Sequence, residues 1–339
     1  MKLFVQIPCL NEEITLAAVI SDIPPSIEGI DEIYILVIDD GSSDRTAEVA
    51  AKEGADYVIR LPFTQGLAKA FSHGIAACLE LGADIIVNTD GDHQYQGEDI
   101  PRLIQPILDG RAEVVIGDRQ VKEIEHFSPL KRKLQVLGST VVSKLSRVKV
   151  PDATSGFRAY SREAALRMNV FSNFSYTLET LFLAGNHRIP IVDVPIKVNR
   201  PRRPSRLFSS LWTYLKKSSV TIVRIYTLYE PLRSFFYFGS VIFFIGILAV
   251  LRFLYYYFTG SGAGHIQSLI LSGALLTIGF QMWVLGILAD LISINRRLSE
   301  EILYRIKRND NSLAEHSDRP ANRTLRNLRP CKKVKGSAV

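Results

Sequence analysis

Cysteine is scarce in this chain of 339 residues: only Cys9, Cys78 and Cys331 occur, with no C-x-x-C spacing. That argues against a disulfide framework and a thiolate zinc site, and leaves reduced thiols as the plain reading. No G-x-G-x-x-G follows the first apolar run, and no G-x-x-x-x-G-K-[ST] occurs, so neither a nicotinamide fingerprint nor a P-loop is supported. Met1-Lys2-Leu3-Phe4-Val5 runs straight into a strand pattern. That run is too short for a signal peptide, and the large domain is expected to stay in the cytosol. Acidic residues are sparse in the second part of the chain: residues 1–199 carry a net charge of −7 and residues 200–339 one of +14. A nucleic-acid-binding fold would carry the basic face itself, so no nucleic-acid partner is expected.

The basic excess flanks two long apolar stretches, 234–258 and 266–292. Each exceeds the roughly 20 residues that a helix needs to cross a bilayer. The connection 259–265 has no Lys or Arg, whereas Arg200, Arg202, Arg203, Arg206, Lys216, Lys217, Arg224 and Arg233 precede the pair and Arg296, Arg297, Arg305, Lys307 and Arg308 follow it. The positive-inside bias puts both flanks in the cytoplasm, which describes a two-span cell-membrane protein. Two buried core helices are the plainer alternative, but length and charge asymmetry agree on spans. Between Arg206 and Tyr229, apolar residues such as Leu207, Phe208, Leu211 and Trp212 mix with Lys216, Lys217 and Arg224, as in amphipathic helices at a membrane face. The expected organisation is a large cytosolic domain at 1–199, a basic linker with interfacial helices at 200–232, two transmembrane helices at 233–294, and a basic tail at 295–339, largely disordered after 309.

Within the first domain, apolar β-branched runs at Leu3–Ile7, Ile33–Ile38, Tyr57–Arg60, Asp84–Asn88 and Ala112–Gly117 read as strands. They alternate with helical patterns at Asn11–Ile23, Ser43–Gly54, Gly66–Leu81 and Glu98–Leu108. Such alternation predicts an α/β fold with a mostly parallel, doubly wound sheet.

Ligands bind at the carboxyl edge of such sheets. Three strand ends bring polar residues there: Gln6-Ile7-Pro8-Cys9-Leu10-Asn11-Glu12-Glu13, Asp39-Asp40-Gly41-Ser42-Ser43-Asp44, and Asn88-Thr89-Asp90-Gly91-Asp92-His93-Gln94. Asp39-Asp40-Gly41 alone is more often a turn than a site, and so is Asp90-x-Asp92. Their conjunction in one sheet points to a ligand. Two carboxylates one residue apart repel unless a cation sits between them, and a hard divalent metal carrying substrate phosphates satisfies both. An Asp at a strand edge can also accept the ring N–H of uracil or guanine. Asp90-x-Asp92-x-Gln94 is not an EF-hand, because Tyr95 stands where the calcium loop needs Gly. His93 suits Mg²⁺ or Mn²⁺ less well than oxygen ligands do.

Together these motifs resemble the inverting family-two glycosyltransferases of GT-A fold. Ser155-Gly156-Phe157-Arg158-Ala159-Tyr160 narrows the likeness to the polyprenyl-phosphate branch, which includes dolichyl-phosphate mannose synthases. The resemblance covers nearly all of residues 1–308. It implies a GT-A-type domain followed by interfacial and transmembrane helices. It implies that Pro8, Leu10, Glu12 and Asp39 line the nucleotide, that Asp90 contacts ribose or metal, and that Asp92 and Gln94 hold metal and diphosphate. Asp152 would lie near the reacting centre. Arg119 and Lys131-Arg132-Lys133 would face the acceptor phosphate, although the latter run has the plainer reading of a solvated helix face. Arg158, and Arg202 in the basic linker, are further candidates for substrate contact. One departure is Thr64 before Gln65-Gly66, where the family often has Asn; this loop's nucleotide contacts stay open. The Gln-x-x-Arg-Trp signature of processive polysaccharide synthases is absent.

The expected activity is transfer of one sugar from a UDP- or GDP-linked donor to a polyprenyl phosphate at the cytosolic membrane face, with Mg²⁺ or Mn²⁺. An acceptor phosphate is largely ionised near pH 7 and needs little general base. A hydroxyl-bearing lipid acceptor, such as diacylglycerol or ceramide, is the alternative, and would need Asp152 as a true base. A nucleotide-binding membrane tether is the non-enzymatic alternative. Sugar, base, lipid length and a homo-oligomeric state are left open.

Overall fold

A computed structural model of the chain describes residues 1–121, 129–170, 176–199, 230–260, 262–315 and 328–330, with isolated residues between 220 and 229. Two units emerge: Met1–Ser219 with Leu303–Val339, and Val220–Ile302.

The first unit is built on an eight-stranded sheet ordered β7-β5-β6-β4-β1-β2-β3-β8. Its strands are β1 (Lys2–Cys9), β2 (Glu32–Asp39), β3 (Tyr57–Arg60), β4 (Ile85–Asn88), β5 (Val114–Asp118), β6 (Arg158–Ser161), β7 (Ile191–Pro195) and β8 (Leu328–Pro330). β1 pairs in parallel with β2 and β4, β2 with β3, and β5 with β7. Every β4 residue is buried, as an apolar run covered on both faces requires. The predicted α/β, mostly parallel sheet is therefore present.

Helices α1 (Leu16–Ser21), α2 (Thr46–Lys52), α3 (Leu67–Glu80), α4 (Ile100–Leu108), α5 (Pro129–Ser146), α6 (Arg162–Arg167) and α7 (Tyr176–Asn186) complete the layers. α3 turns Ala68, Ala70, Phe71, Gly74, Ile75, Ala77 and Cys78 inward. α1 and α2 start later than their sequence patterns suggest. Asn11 adopts a left-handed φ of 54°, and the side chains of Asn11 and Ser42 cross-link the two strand-end loops. Those backbone groups are thus withdrawn from a helical first turn.

Three strands of the sheet lie outside the sequence expectation: β7, which runs parallel to β5, and the two antiparallel strands β6 and β8. β6 runs antiparallel between β4 and β5, pairing Asn88 with Arg158 and Ile116 with Arg158. β8 pairs antiparallel with β3, matching Tyr57 with Pro330. The tail expected to be largely disordered after 309 therefore contains a strand, and the helix before it runs on to Glu315. Leu303 onward belongs to the first unit. There the Tyr304 hydroxyl donates to the Glu163 carboxylate, the Arg167 guanidinium lies 3.8 Å over the Tyr304 ring, and Lys307 Nζ donates to Asn169 Oδ1 at 2.6 Å.

The second unit contains α8 (Pro231–Phe258) and the first part of α9 (Ile266–Glu315), joined through a short 3₁₀ turn at Gly262–His265. Both helices are long and apolar enough to cross a membrane. They cross closely at Gly239 and Gly279: a Cβ on either would lie 2.9 Å from the other's carbonyl oxygen. Phe238, Phe244, Leu248, Ile270 and Ile292 are exposed on their outer faces. The predicted linker and interfacial helices, including Arg202, fall largely outside the described residues.

Candidate active site

The carboxyl edge of the sheet gathers the loops after β1, β2, β4 and β5. After β2, Asp39 is fully buried and its Oδ1 accepts the Ser42 N–H at 2.8 Å. Its Oδ2 has no hydrogen-bond donor among the described residues, although Arg60 Nε stands 3.4 Å away. Asp40 turns the other way. Its two carboxylate oxygens accept the N–H groups of Gln65 and Gly66, each at 2.8 Å. Gly41, with φ 72°, lets this loop close, because a Cβ there would lie 2.7 Å from the Phe63 carbonyl carbon.

After β1, Pro8 is buried and Leu10 stays partly exposed. Glu12 is buried, its N–H donating to Thr46 Oγ1 and its carboxylate accepting from Thr15 Oγ1. Thr15 Oγ1 also lies 2.7 Å from the Gly91 carbonyl. A Cβ on Gly91 would fall 2.7 Å from Cys9 Sγ. The β1 loop thus backs directly onto Asp90-Gly91-Asp92.

Asp90 and Asp92 each keep some solvent contact. Surrounding protein first, then the negative charge of Asp92, pushes the Asp90 pKa up to about 7; Glu12 adds to the rise, and Arg119 and Arg158 oppose it. Asp92 Oδ1 accepts the Gln94 N–H at 3.0 Å, which closes a local turn. His93 points elsewhere, with Nε2 2.7 Å from Asp22 Oδ2. It is a structural histidine.

After β5, Arg119 is buried and grips Asp152 bidentately, Nε to Oδ2 at 2.6 Å and Nη2 to Oδ1 at 3.0 Å. Thr154 Oγ1 receives Arg119 Nη2 at 2.7 Å and Gln135 Nε2 at 2.9 Å. Burial alone would raise the Asp152 pKa, but the Arg119 guanidinium, together with the hydrogen bonds from Thr154, outweighs it and holds the carboxyl below its usual range. Arg119 in turn feels both Asp152 and Asp90.

The loop Ala153–Phe157 is fixed from several sides. Tyr95 Oη accepts the Gly156 N–H at 2.9 Å, and Asn88 Nδ2 donates to the Gly156 carbonyl at 2.8 Å. Here the structure corrects one expectation. Arg158 is fully buried, and its guanidinium donates to the carbonyls of Ala153, Ser155 and Thr177 and to Thr180 Oγ1. It holds the loop to α7 and is not presented to a substrate.

The structure therefore brings Pro8, Leu10, Glu12, Asp39, Asp90, Asp92, Gln94, Arg119 and Asp152 to the loops at one sheet edge. Lys131, Arg132 and Lys133 lie near the start of α5, with Arg132 half-buried. The Lys131 and Lys133 side chains, like all of Arg202, are outside the described residues. Of the residues that fix the site, Tyr95 and Thr154 lie outside the motifs that point to it, whereas Asp40, Asn88 and Gly156 lie within those motifs without an assigned role. Asn88 carries one sequence signal, a polar side chain ending an otherwise apolar strand.

No group of three or more His, Cys, Asp or Glu forms a ready metal cage among the described residues. The oxygen donors of Asp90, Asp92 and Gln94 fit a hard divalent ion that completes its shell with substrate phosphate oxygens.

A sequence profile described as glycosyl transferase family 2 matches residues 4–167. A dolichyl-phosphate hexose transferase of Haloferax volcanii is 34% identical over 186 residues, covering 55% of this chain and 78% of that protein. A dolichol-phosphate mannosyltransferase of Pyrococcus furiosus is 32% identical, covering 64% of this chain and 62% of that protein. Among solved structures, glucosyl-3-phosphoglycerate synthase from Mycobacterium tuberculosis, in complex with Mn²⁺, uridine-diphosphate-glucose and phosphoglyceric acid, superposes with a TM-score of 0.52 at 25% identity, covering 67% of this chain and 78% of that one.

Proposed function

Because the chain belongs to glycosyl transferase family 2, we propose that it transfers one sugar, with inversion, from a nucleotide sugar to a polyprenyl phosphate at the cytosolic face of a membrane. The observation that carries this reading is the juxtaposition of a carboxylate pair, Asp90 and Asp92, with a buried Arg119–Asp152 pair at one sheet edge. The relatives named for dolichyl-phosphate sugar transfer support the acceptor class. Two helices able to cross a bilayer support the location.

Asp39 Oδ2 is suited to accept the ring N–H of the donor base, and the loop hooked by Asp40 closes beside it. Asp90, Asp92 and Gln94 would hold a divalent metal, Mg²⁺ or Mn²⁺. When bound, it neutralises charge on the departing diphosphate. An acceptor phosphate oxygen attacks the anomeric carbon in line. The bond from that carbon to the donor's diphosphate oxygen breaks, and the nucleoside diphosphate leaves with the electron pair. Asp152 is a poor base while Arg119 holds it ionised and engaged. That suits an already ionised phosphate better than a lipid hydroxyl.

The deciding experiment presents the full chain in detergent or nanodiscs with a panel of radiolabelled UDP- and GDP-sugars and a short polyprenyl phosphate. The expected result is a lipid-linked sugar that requires divalent metal. Asp92→Ala should lower its formation at least about 100-fold. Undiminished product from that variant overturns the catalytic reading, and product on diacylglycerol but not on polyprenyl phosphate overturns the acceptor.

A further inference from the structure

Gly156 is the residue against which Asp90 rests. A Cβ built there would lie 2.9 Å from each carboxylate oxygen of Asp90 and 2.8 Å from Tyr176 Oη. The peptide groups on either side of that glycine are held by side chains, at the N–H by Tyr95 Oη and at the carbonyl by Asn88 Nδ2. The holders are themselves fixed. The Tyr95 ring stacks on Phe157 with centroids 5.2 Å apart. Asn88 Oδ1 accepts from Gln6 Nε2 at 2.8 Å, which orients its amide. Asn88 Nδ2 also donates to Tyr176 Oη at 2.9 Å, and Tyr176 stacks on Phe71 at 4.2 Å. Asn88, Tyr95 and Tyr176 are all buried.

We infer that Tyr95 and Asn88 are positioning residues for Asp90, setting the Gly156 backbone as a fixed wall that holds the carboxylate in one orientation. The inference rests on the proposed metal-dependent transfer. A carboxylate that shares a metal with a diphosphate must present a defined oxygen, and its outer partners govern how tightly the metal is held. Here the outer partner is a glycine backbone pinned from both ends. Neither tyrosine nor asparagine needs to reach the metal.

Tyr95→Phe keeps the ring stack and removes only the oxygen that receives the Gly156 N–H. In the full chain with saturating UDP or GDP, whichever the unaltered protein binds with Mn²⁺, free Mn²⁺ is followed by electron paramagnetic resonance. The variant should bind Mn²⁺ about 10-fold more weakly while its thermal melt stays cooperative. Gly156→Ala approaches the same wall from the carboxylate side and should weaken Mn²⁺ at least as much. Combining it with Tyr176→Phe relieves one close contact but not those with Asp90, so the metal defect should persist. In an Asp90→Asn background, Tyr95→Phe should change Mn²⁺ affinity by less than about twofold, because coupled residues are not additive.

Unchanged Mn²⁺ affinity in Tyr95→Phe and Gly156→Ala overturns the inference, as does a full further loss in the Asp90→Asn background. If the unaltered protein binds no Mn²⁺ with nucleotide, the metal-dependent reading of function falls and takes this one with it. If Asp92→Ala abolishes metal binding while Tyr95→Phe leaves it intact, only the positioning role fails.

Discussion

The two halves of the sheet edge hold their loops by different means. On the β1–β2–β3 side, an acidic side chain at the end of a strand catches backbone N–H groups of a nearby loop: Asp39 with Ser42, Asp40 with Gln65 and Gly66. The carboxylates themselves are buried, but the loop residues Gln65 and Gly66 that Asp40 holds are partly exposed. On the β4–β6–β5 side, buried side chains from distant segments hold one another and the 153–157 loop, as in Arg119–Asp152, Tyr95–Gly156 and Arg158–Thr180. The first arrangement suits a pocket that opens for a nucleotide. The second suits a reacting centre whose charges must not move. The difference predicts stability losses on the β5–β6 side and binding losses on the β2–β3 side.

The largest effect is expected at Arg119. Arg119→Ala strands a buried Asp152 carboxylate, and breaking such a pair costs about 3–5 kcal/mol. The double change Arg119→Ala with Asp152→Ala should recover much of that loss. Equilibrium denaturation reads both, and an Arg119→Ala protein as stable as the parent would break the comparison. The pair also sets an acid limit. Arg119 holds the folded pKa of Asp152 below its unfolded value of about 3.9. Its contribution is therefore complete above about pH 4 and is lost as pH falls through the folded value. Asp152→Asn should remove that part of the acid-side slope.

A smaller and different effect is expected at Asp40. Asp40→Ala releases two backbone N–H groups that water can reach, a loss of about 1–2 kcal/mol. It should appear as a rise of roughly tenfold in KM for the nucleotide sugar, by the usual conversion of 1.4 kcal/mol, with kcat and the lipid KM little changed. Asp40→Asn should keep part of the binding, since one carbonyl oxygen remains to accept. A fall in kcat at unchanged KM would place the Phe63–Gly66 loop with the reacting centre and merge the two halves.

The same division explains what the sequence discloses. The strand ends Asp39-Asp40-Gly41 and Asp90-Gly91-Asp92 announce themselves because polarity follows an apolar run within a few residues. The membrane-length helices are legible for the same local reason. β6 is not: Arg158–Ser161 is a short strand whose pairing with Asn88 and Ile116 depends on segments about 40 to 70 residues away. The pairing of β6 with β4 is what brings the preceding Gly156 toward Asp90 and Arg158 toward Thr177. Arg158 in a polar motif then resembles a phosphate ligand, when its donors are already satisfied by carbonyls. Asp152 was recognisable as a site candidate, but its bidentate partner Arg119 lies 33 residues earlier, and only tertiary structure discloses the pairing.

The least effect is expected at the sheet's outer edge. β8 contributes three residues, antiparallel to β3, and β3 ends at Arg60, which faces Asp39. A chain shortened after Glu315 loses β8 but keeps the contacts that Tyr304 and Lys307 of α9 make with Glu163 and Arg167 of α6 and with Asn169 after it. With so few ladder bonds removed, stability should fall by less than about 1 kcal/mol, and transfer should stay within about twofold of the parent. What the shortened chain gains is an unpaired β3 edge, which other chains can extend. Sedimentation velocity in detergent should therefore show concentration-dependent association absent from the full chain. If KM for the nucleotide sugar rises as well, β8 also steadies Arg60 beside Asp39, and the β1–β2–β3 half of the site depends on tertiary support more than its local bonds imply.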